Sequence, residues 1–216
     1  VNRKRITLVA FGDSTTAPRG PVRIYLECLK QELAARGIDV EAFNAGVGGN
    51  TTEDARLRFE RDVLARRPDL VVIQFGINDA AVDVWRTPPA EQPRVAADRY
   101  VENIEHFVTG ICGQAARVIL MTPNPMRWTP ALLDRYGKPP YQPADPDGFN
   151  VRLKAYAEAL REVAKRRRLP LVDVYAAFQA YGNVDNQAID DLLLDGMHPN
   201  DAGHRLVAER LLAEIA

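Results

Sequence analysis

Apolar residues fall along this chain in two alternating patterns. Predominantly apolar runs at 6–11, 40–43, 70–75, 118–121 and 171–174, interrupted only singly by Thr7, Glu41, Gln74 and Asp173, have the length of strands buried on both faces. Between them the apolar positions return every three or four residues, as on one face of a helix. Ile24, Leu26, Leu29 and Leu33 make the first such stripe, which ends before Gly37. Ala55, Phe59, Val63 and Leu64 make the second, capped by Thr51 or Thr52 and stopped by Pro68. Tyr100, Val101, Ile104, Phe107 and Val108 form a third, and Val151, Leu153, Tyr156, Leu160 and Val163 a fourth. A closing helix carries Leu206, Val207, Leu211 and Ile215. Strands alternating with helices throughout predict an α/β fold whose parallel sheet, of about five strands, is covered on both faces. No repeat, linker or low-complexity tract divides residues 1–216, so one domain is expected.

One stretch breaks the alternation. From 122 to 148 no period holds, prolines are frequent, and Met126, Trp128, Tyr136 and Tyr141 are interspersed. A loop of this length inside a compact domain is usually functional or disordered; its aromatics argue against disorder and suit a lid or pocket wall or a surface excursion pinned by its own rings. The basic run 165–168 complements the negative end of its helix and reads as a solvated terminus.

Composition narrows the function classes. The 216 residues are 46% hydrophobic and 26% charged, with a net charge of −1, so nothing draws the chain to nucleic acid or an anionic membrane. No apolar run is long enough to span a bilayer. Cys28 and Cys112 have neither metal-type nor redox-type spacing and read as buried thiols. With no signal-type segment ahead of the first strand, a cytoplasmic location is expected, unless a leader preceding Val1 has been removed.

The candidate chemistry lies where the strands end. In open α/β sheets, ligands collect beyond the carboxyl ends of the strands. Ser14 follows the first run in Gly12-Asp13-Ser14-Thr15, a stretch that is by itself an ordinary turn. The run Gly46-Val47-Gly48-Gly49 follows the second, where it can be a flexible turn or bring a backbone N–H close to a reacting carbonyl. Asn78 follows the third, placed to donate an amide hydrogen or to make local backbone bonds. In Asp195-Gly196-Met197-His198-Pro199 a carboxylate can turn back onto imidazole Nδ1, leaving Nε2 to take a proton from a nucleophile. Taken alone, that pair also suits a helix cap and a surface histidine. A metal site from Asp195, His198, Asp201 and His204 and a non-catalytic small-ligand module are the rival readings. His106, beside Phe107 on its helix, is expected to have no catalytic role.

Gly12-Asp13-Ser14, the glycine run after Asn44, Gly76-Ile77-Asn78-Asp79 and Asp195-Gly196-Met197-His198-Pro199 come in the order of the four sequence blocks of the SGNH (GDSL-type) hydrolases, which the chain resembles over nearly its whole length. The resemblance implies a flavodoxin-like three-layer α/β/α sandwich and hydrolysis of esters without metal or cofactor. It implies Ser14 as nucleophile, His198 as general base and Asp195 as its orienting partner. The backbone N–H of Ser14, that of Gly49 and the side chain of Asn78 would form the oxyanion hole. Thr15 stands where the family's name has leucine, and 122–148 matches no block. A small ester with a short acyl group is the expected partner, since the sequence shows no extended apolar groove. Acetylated carbohydrate is the leading candidate, with Asp13, Arg127 and Trp128 as candidate substrate contacts and Tyr136 beside them. Acyl transfer, thioester cleavage or lysophospholipid cleavage would use the same triad. Oligomeric state is not legible.

Overall fold

The computed structural model describes residues 5–215. Five parallel strands, β1 (Ile6–Gly12), β2 (Val40–Gly46), β3 (Leu70–Gln74), β4 (Arg117–Met121) and β5 (Leu171–Val172), form one sheet in the order β2-β1-β3-β4-β5. Around it run α1 (Tyr25–Ala35), α2 (Thr52–Asp62), α3 (Ile77–Ala80), α4 (Ala97–Gly113), α5 (Pro130–Tyr136), α6 (Leu153–Arg167), α7 (Val174–Gly182) and α8 (Asp201–Ile215). The expected α/β sheet covered on both faces is present. Its order is the flavodoxin-like one, and the connections diverge between β1 and β3, leaving a crevice at their carboxyl ends.

Residue parity divides each apolar run between two cores. Val9 and Phe11 of β1, Val71 and Ile73 of β3, and Val118 and Leu120 of β4 face α2, α4 and α6. Leu8, Ala10, Leu70, Val72, Ile119 and Met121 face the opposite layer, with Leu29 and Leu33 of α1, Phe178 of α7 and Leu211 of α8. A run that is apolar at both parities is what a strand buried on both faces needs.

Several elements depart from the sequence reading. The fifth run was expected to reach 174 but pairs only over Leu171–Val172. Asp173 instead accepts the N–H of Ala176 at 3.0 Å and starts α7, a helix the apolar spacing did not reveal. The stretch 122–148 contains α5, with Thr129 as cap and Pro130 in its first turn. Of the two cap candidates for α2, Thr51 closes a reciprocal box with Asp54. Cys112 is exposed in the last turn of α4 and Cys28 is half-buried, correcting the expectation of two buried thiols. No helix among the described residues is long and apolar enough to cross a membrane.

Two side chains show what holds the layer beneath the crevice. Phe107 of α4 is fully buried, 5.1 Å from the ring of Phe11 and 4.9 Å from that of Phe59. Replacing it with alanine should cost about 3–5 kcal/mol, read as a lower denaturant midpoint with an unchanged slope. Asp79 of α3 is buried and accepts both the N–H (2.9 Å) and the hydroxyl (2.5 Å) of Thr52, fastening α2 to the end of β3. Its second oxygen, Oδ2, has no partner. Burial pushes its carboxyl up to about 7, against the opposing pull of the Thr52 bonds. Between the ordinary value of 3.8 and about 7 the folded chain keeps a proton that the unfolded chain has lost. Stability contributed at this site is therefore complete below that window and falls as pH rises through it, by up to about 1.4 kcal/mol per unit. Asp79→Asn should gain on the wild type between pH 4 and 7 in paired denaturation curves; parallel pH profiles would contradict the assignment.

Candidate active site

Four segments converge above the strand ends. The first is the turn after β1. Asp13 Oδ1 accepts the N–H of Thr15 at 2.8 Å and its hydroxyl at 2.9 Å, while Asp13 O accepts the N–H groups of Thr16 and Ala17. These bonds leave Ser14 at the apex, half-buried. Asp13 itself is sealed below the turn, where burial raises its carboxyl above the usual range. It is a brace for the turn, and the expectation that it contacts substrate is corrected.

The second segment is the glycine-rich turn after β2. Val47 N–H donates to Gly12 O at 3.1 Å and Asn44 Nδ2 donates to Thr16 O at 2.7 Å, so the turns after β1 and β2 are tied together. Gly49 has φ +78°, a conformation that other residues enter at a cost. Neither its N–H nor that of Ser14 has an acceptor among the described residues. Beneath lies Arg58 of α2, a buried guanidinium that donates to Asn50 Oδ1 (2.6 Å), Ala45 O (2.7 Å) and Gly12 O (2.9 Å). Asp62, one helical turn on, balances its charge at 3.3 Å. Sequence reasoning missed Arg58, because an arginine in a helix reads as a solvated residue. The available signal was its spacing of four from Asp62 on the flank of an apolar stripe.

The third segment follows β3. Asn78 Nδ2 donates to Asn50 O at 3.1 Å, which places the amide against the glycine turn. Arg94 Nη1 donates to Asn78 Oδ1 at 3.3 Å, and Arg94 is in turn held by a forked pair with Asp83 whose shortest bond is 2.7 Å. The carbonyl end of the Asn78 amide is thus occupied, and its NH₂ end faces the turn. Arg94, whose partner Asp83 is eleven residues away in the chain, carried no comparable signal.

The fourth segment brings in the chain's end. Asp195 Oδ1 accepts the N–H groups of Met197 (3.1 Å) and His198 (2.9 Å), and its carboxylate meets His198 Nδ1 at 2.8 Å. Burial disfavours the Asp195 charge, but the bonds from the His198 ring and backbone prevail and hold its carboxyl well below the usual range. His198 Nε2 lies 2.9 Å from Ser14 Oγ. The turn is docked on the segment after β4, where Arg127 N–H donates to Gly196 O at 2.7 Å and Asn124 Nδ2 to Met197 O at 2.9 Å. At Gly196, φ is +81° and an added Cβ would stand 2.5 Å from Arg127 O, so this approach requires glycine.

The metal reading loses its members. Asp201 accepts the N–H of Arg23 at 2.8 Å, and His204 is buried against Tyr25, where desolvation lowers its pKa to about 4. Among the described residues no cluster of three or more His, Cys, Asp or Glu could hold a metal ion. His106 sits on the outer side of α4 against Phe59, away from these four segments.

Beside His198 and Asn78 opens a cavity of about 430 Å³. Leu132 and Tyr136 of α5, Tyr141, Phe149 and Met197 form much of its apolar wall, and Arg94, Arg135 and Arg152 also line it. No extended apolar groove for a long chain was evident in the sequence; this cavity is assembled from segments far apart in the chain. Arg127 and Trp128 stand behind the wall, which corrects their expected role as substrate contacts. Arg127 pairs with Asp147 at 2.9 Å, and Trp128 stacks on Phe149 with centroids 4.6 Å apart and donates to Asp145 O at 3.0 Å.

Comparison with known proteins agrees with this geometry. Residues 10–206 match the GDSL-like Lipase/Acylhydrolase family. An uncharacterized lipoprotein, YqeF, of Bacillus subtilis is 35% identical over 94% of this chain and 86% of its own length. An acetylxylan esterase of Geobacillus stearothermophilus is 30% identical over 82% of this chain and 73% of its own. Among solved structures, a lipase/acylhydrolase from Enterococcus faecalis superposes with a TM-score of 0.74 at 30% identity, covering 97% of this chain and 95% of that one. The Geobacillus acetylxylan esterase Axe2 superposes with a TM-score of 0.76 at 25% identity, covering 98% and 94%. The chain belongs to the GDSL-like lipase/acylhydrolase family, the SGNH hydrolases, and is a carboxylic ester hydrolase.

Proposed function

We propose that this esterase removes short acyl groups, acetyl foremost, from a carbohydrate, through an acyl-enzyme on Ser14. The observation that carries the proposal is the unbroken line of hydrogen bonds from Asp195 through His198 to Ser14 Oγ. Two of the compared relatives support the acetyl and carbohydrate parts: one is an acetylxylan esterase and another an acetyl xylan esterase. Crystal structures of catalytic mutants of Axe2, with a serine, an aspartate and a histidine each replaced by alanine, support the choice of residue types. The packing of both cores on one sheet supports reading residues 1–216 as one domain.

In the first step Ser14 Oγ attacks the ester carbonyl as its proton passes to His198 Nε2. Asp195 holds the ring in the tautomer that leaves Nε2 unprotonated beforehand and steadies the imidazolium that forms. Charge moves to the carbonyl oxygen, where the unengaged N–H groups of Ser14 and Gly49 and the Asn78 amide serve as donors. His198 gives its proton to the departing alcohol. Water then enters and attacks the acyl carbonyl as it loses a proton to His198, and His198 returns that proton to Ser14 Oγ as the bond to the acyl group breaks and the acid leaves. These steps balance with ester and water alone.

The location expected from the sequence, cytoplasmic, stands as a proposal. A lipoprotein among the relatives supports the alternative of an exported or lipidated form, and fractionation of cells expressing the full native gene decides between them.

Wild type and Ser14→Ala, both shown to be folded, should be compared on 4-nitrophenyl acetate and on an acetylated xylo-oligosaccharide. Near-complete loss in the variant on both is expected; equal rates would overturn the role of Ser14. For Asn78→Ala, kcat should fall roughly 100- to 1,000-fold, the usual effect of losing one oxyanion donor. A loss confined to KM would show that Asn78 acts in ground-state binding instead.

A further inference from the structure

We propose that the cavity beside His198 takes the alcohol part of the ester, and that this part is a ring carrying a carboxylate. The inference rests on the esterase reading above and adds the substrate class.

Size is the first ground. About 430 Å³ lies in the ordinary range for a small-molecule site, and an acetyl group would fill only a small part of it. The occupant must therefore be the alcohol part or a much larger acyl chain. His198 and Asn78 line this same cavity. The leaving oxygen has to be within reach of His198 Nε2, so a cavity walled by that ring suits the group the proton is delivered to.

Charge is the second ground. Three arginines line the cavity, but they are not equivalent. Arg94 is committed to Asp83 and Asn78. Arg135 and Arg152 are exposed, and neither has an ion-pair partner among the described residues. Arg135 is nonetheless held in place: its guanidinium lies 4.4 Å from the Trp85 ring centroid and 5.6 Å from that of Tyr136. A stacked guanidinium keeps its in-plane N–H groups free for a planar anion, which is the geometry that a carboxylate matches. An apolar wall with Tyr136, Tyr141 and Phe149 on it suits the face of a ring. Rings with a carboxylate include hexuronic sugars and aromatic acids, and both present the same chemistry to this site.

The test is the ratio of kcat/KM between an anionic ester and its neutral partner. 4-Acetoxybenzoate is set against its methyl ester, and an acetylated methyl glucuronoside against the acetylated methyl glucoside. Wild type should favour the anionic member of at least one pair by about tenfold, the scale of a charge-assisted hydrogen bond, and salt should erode the preference. The pair that shows it identifies the kind of ring. In Arg135→Gln/Arg152→Gln the ratio should fall to about one. A ratio at or below one in the wild type, or one unchanged in the double variant, would overturn the proposal. 4-Nitrophenyl succinate against 4-nitrophenyl butyrate places the charge on the acyl side; a preference appearing there alone would also overturn it. Calorimetric binding of 4-acetoxybenzoate to Ser14→Ala, with and without the two arginine changes, needs no turnover. Absence of hydrolysis in every arm would refute the esterase mechanism, while these binding curves would still decide the cavity.

Discussion

The hydrogen bond that the Ser14 hydroxyl donates to His198 Nε2 joins positions 184 residues apart, and most of the polar construction around the strand ends serves to hold its two atoms in place. A side-chain bond of this kind is worth little by itself and is easily lost if either partner turns. Both partners are therefore fixed by backbone. Ser14 stands on a turn braced by Asp13 and tied to the turn after β2. His198 stands on a turn closed by Asp195 and docked through Gly196 on the segment after β4. The parallel sheet supplies the common origin, since every strand delivers its carboxyl end to the same edge.

Buried charge does much of the remaining work. Arg58 is costly to bury, yet acceptors at the end of β1, in β2 and in the turn after β2, with the nearby Asp62, compensate it. On the other side the buried charge is Asp83, which Arg94, itself exposed, links to the amide of Asn78. Each arginine converts a flexible loop into a positioned donor or acceptor, which is how electrostatic preorganisation is built before a substrate arrives. Asp79, whose second oxygen has no partner, shows the cost of fixing α2 to α3 in this way.

The strands were legible in the sequence because predominantly apolar runs of that length have few other uses. The four strand-end motifs, each an ordinary turn by itself, were legible only through their order and their common place at strand ends. Helix α5 was not, since Pro130–Tyr136 is too short to show a period among so many prolines. Helix α7 was hidden because it begins directly after a two-residue strand with only its cap Asp173 between them, so Val174 reads as a continuation of the strand. The cavity was invisible for a different reason: Ile77, Leu132, Phe149 and Met197 meet only after folding. Trp128 and Arg127 illustrate the limit of reading side-chain type without direction. Their stretch was correctly suspected of walling a pocket, but Trp128 supports Phe149 from behind and Arg127 is spent on Asp147.

The most direct measurement is covalent labelling by a serine-reactive phosphonate, with the site located by peptide mass spectrometry. A single adduct on Ser14, formed rapidly in the wild type and at least about a hundredfold more slowly in His198→Ala, is the predicted result, since an unassisted serine is a poor nucleophile. Labelling at another residue, or equal rates in the two proteins, would contradict a Ser14 nucleophile activated by His198.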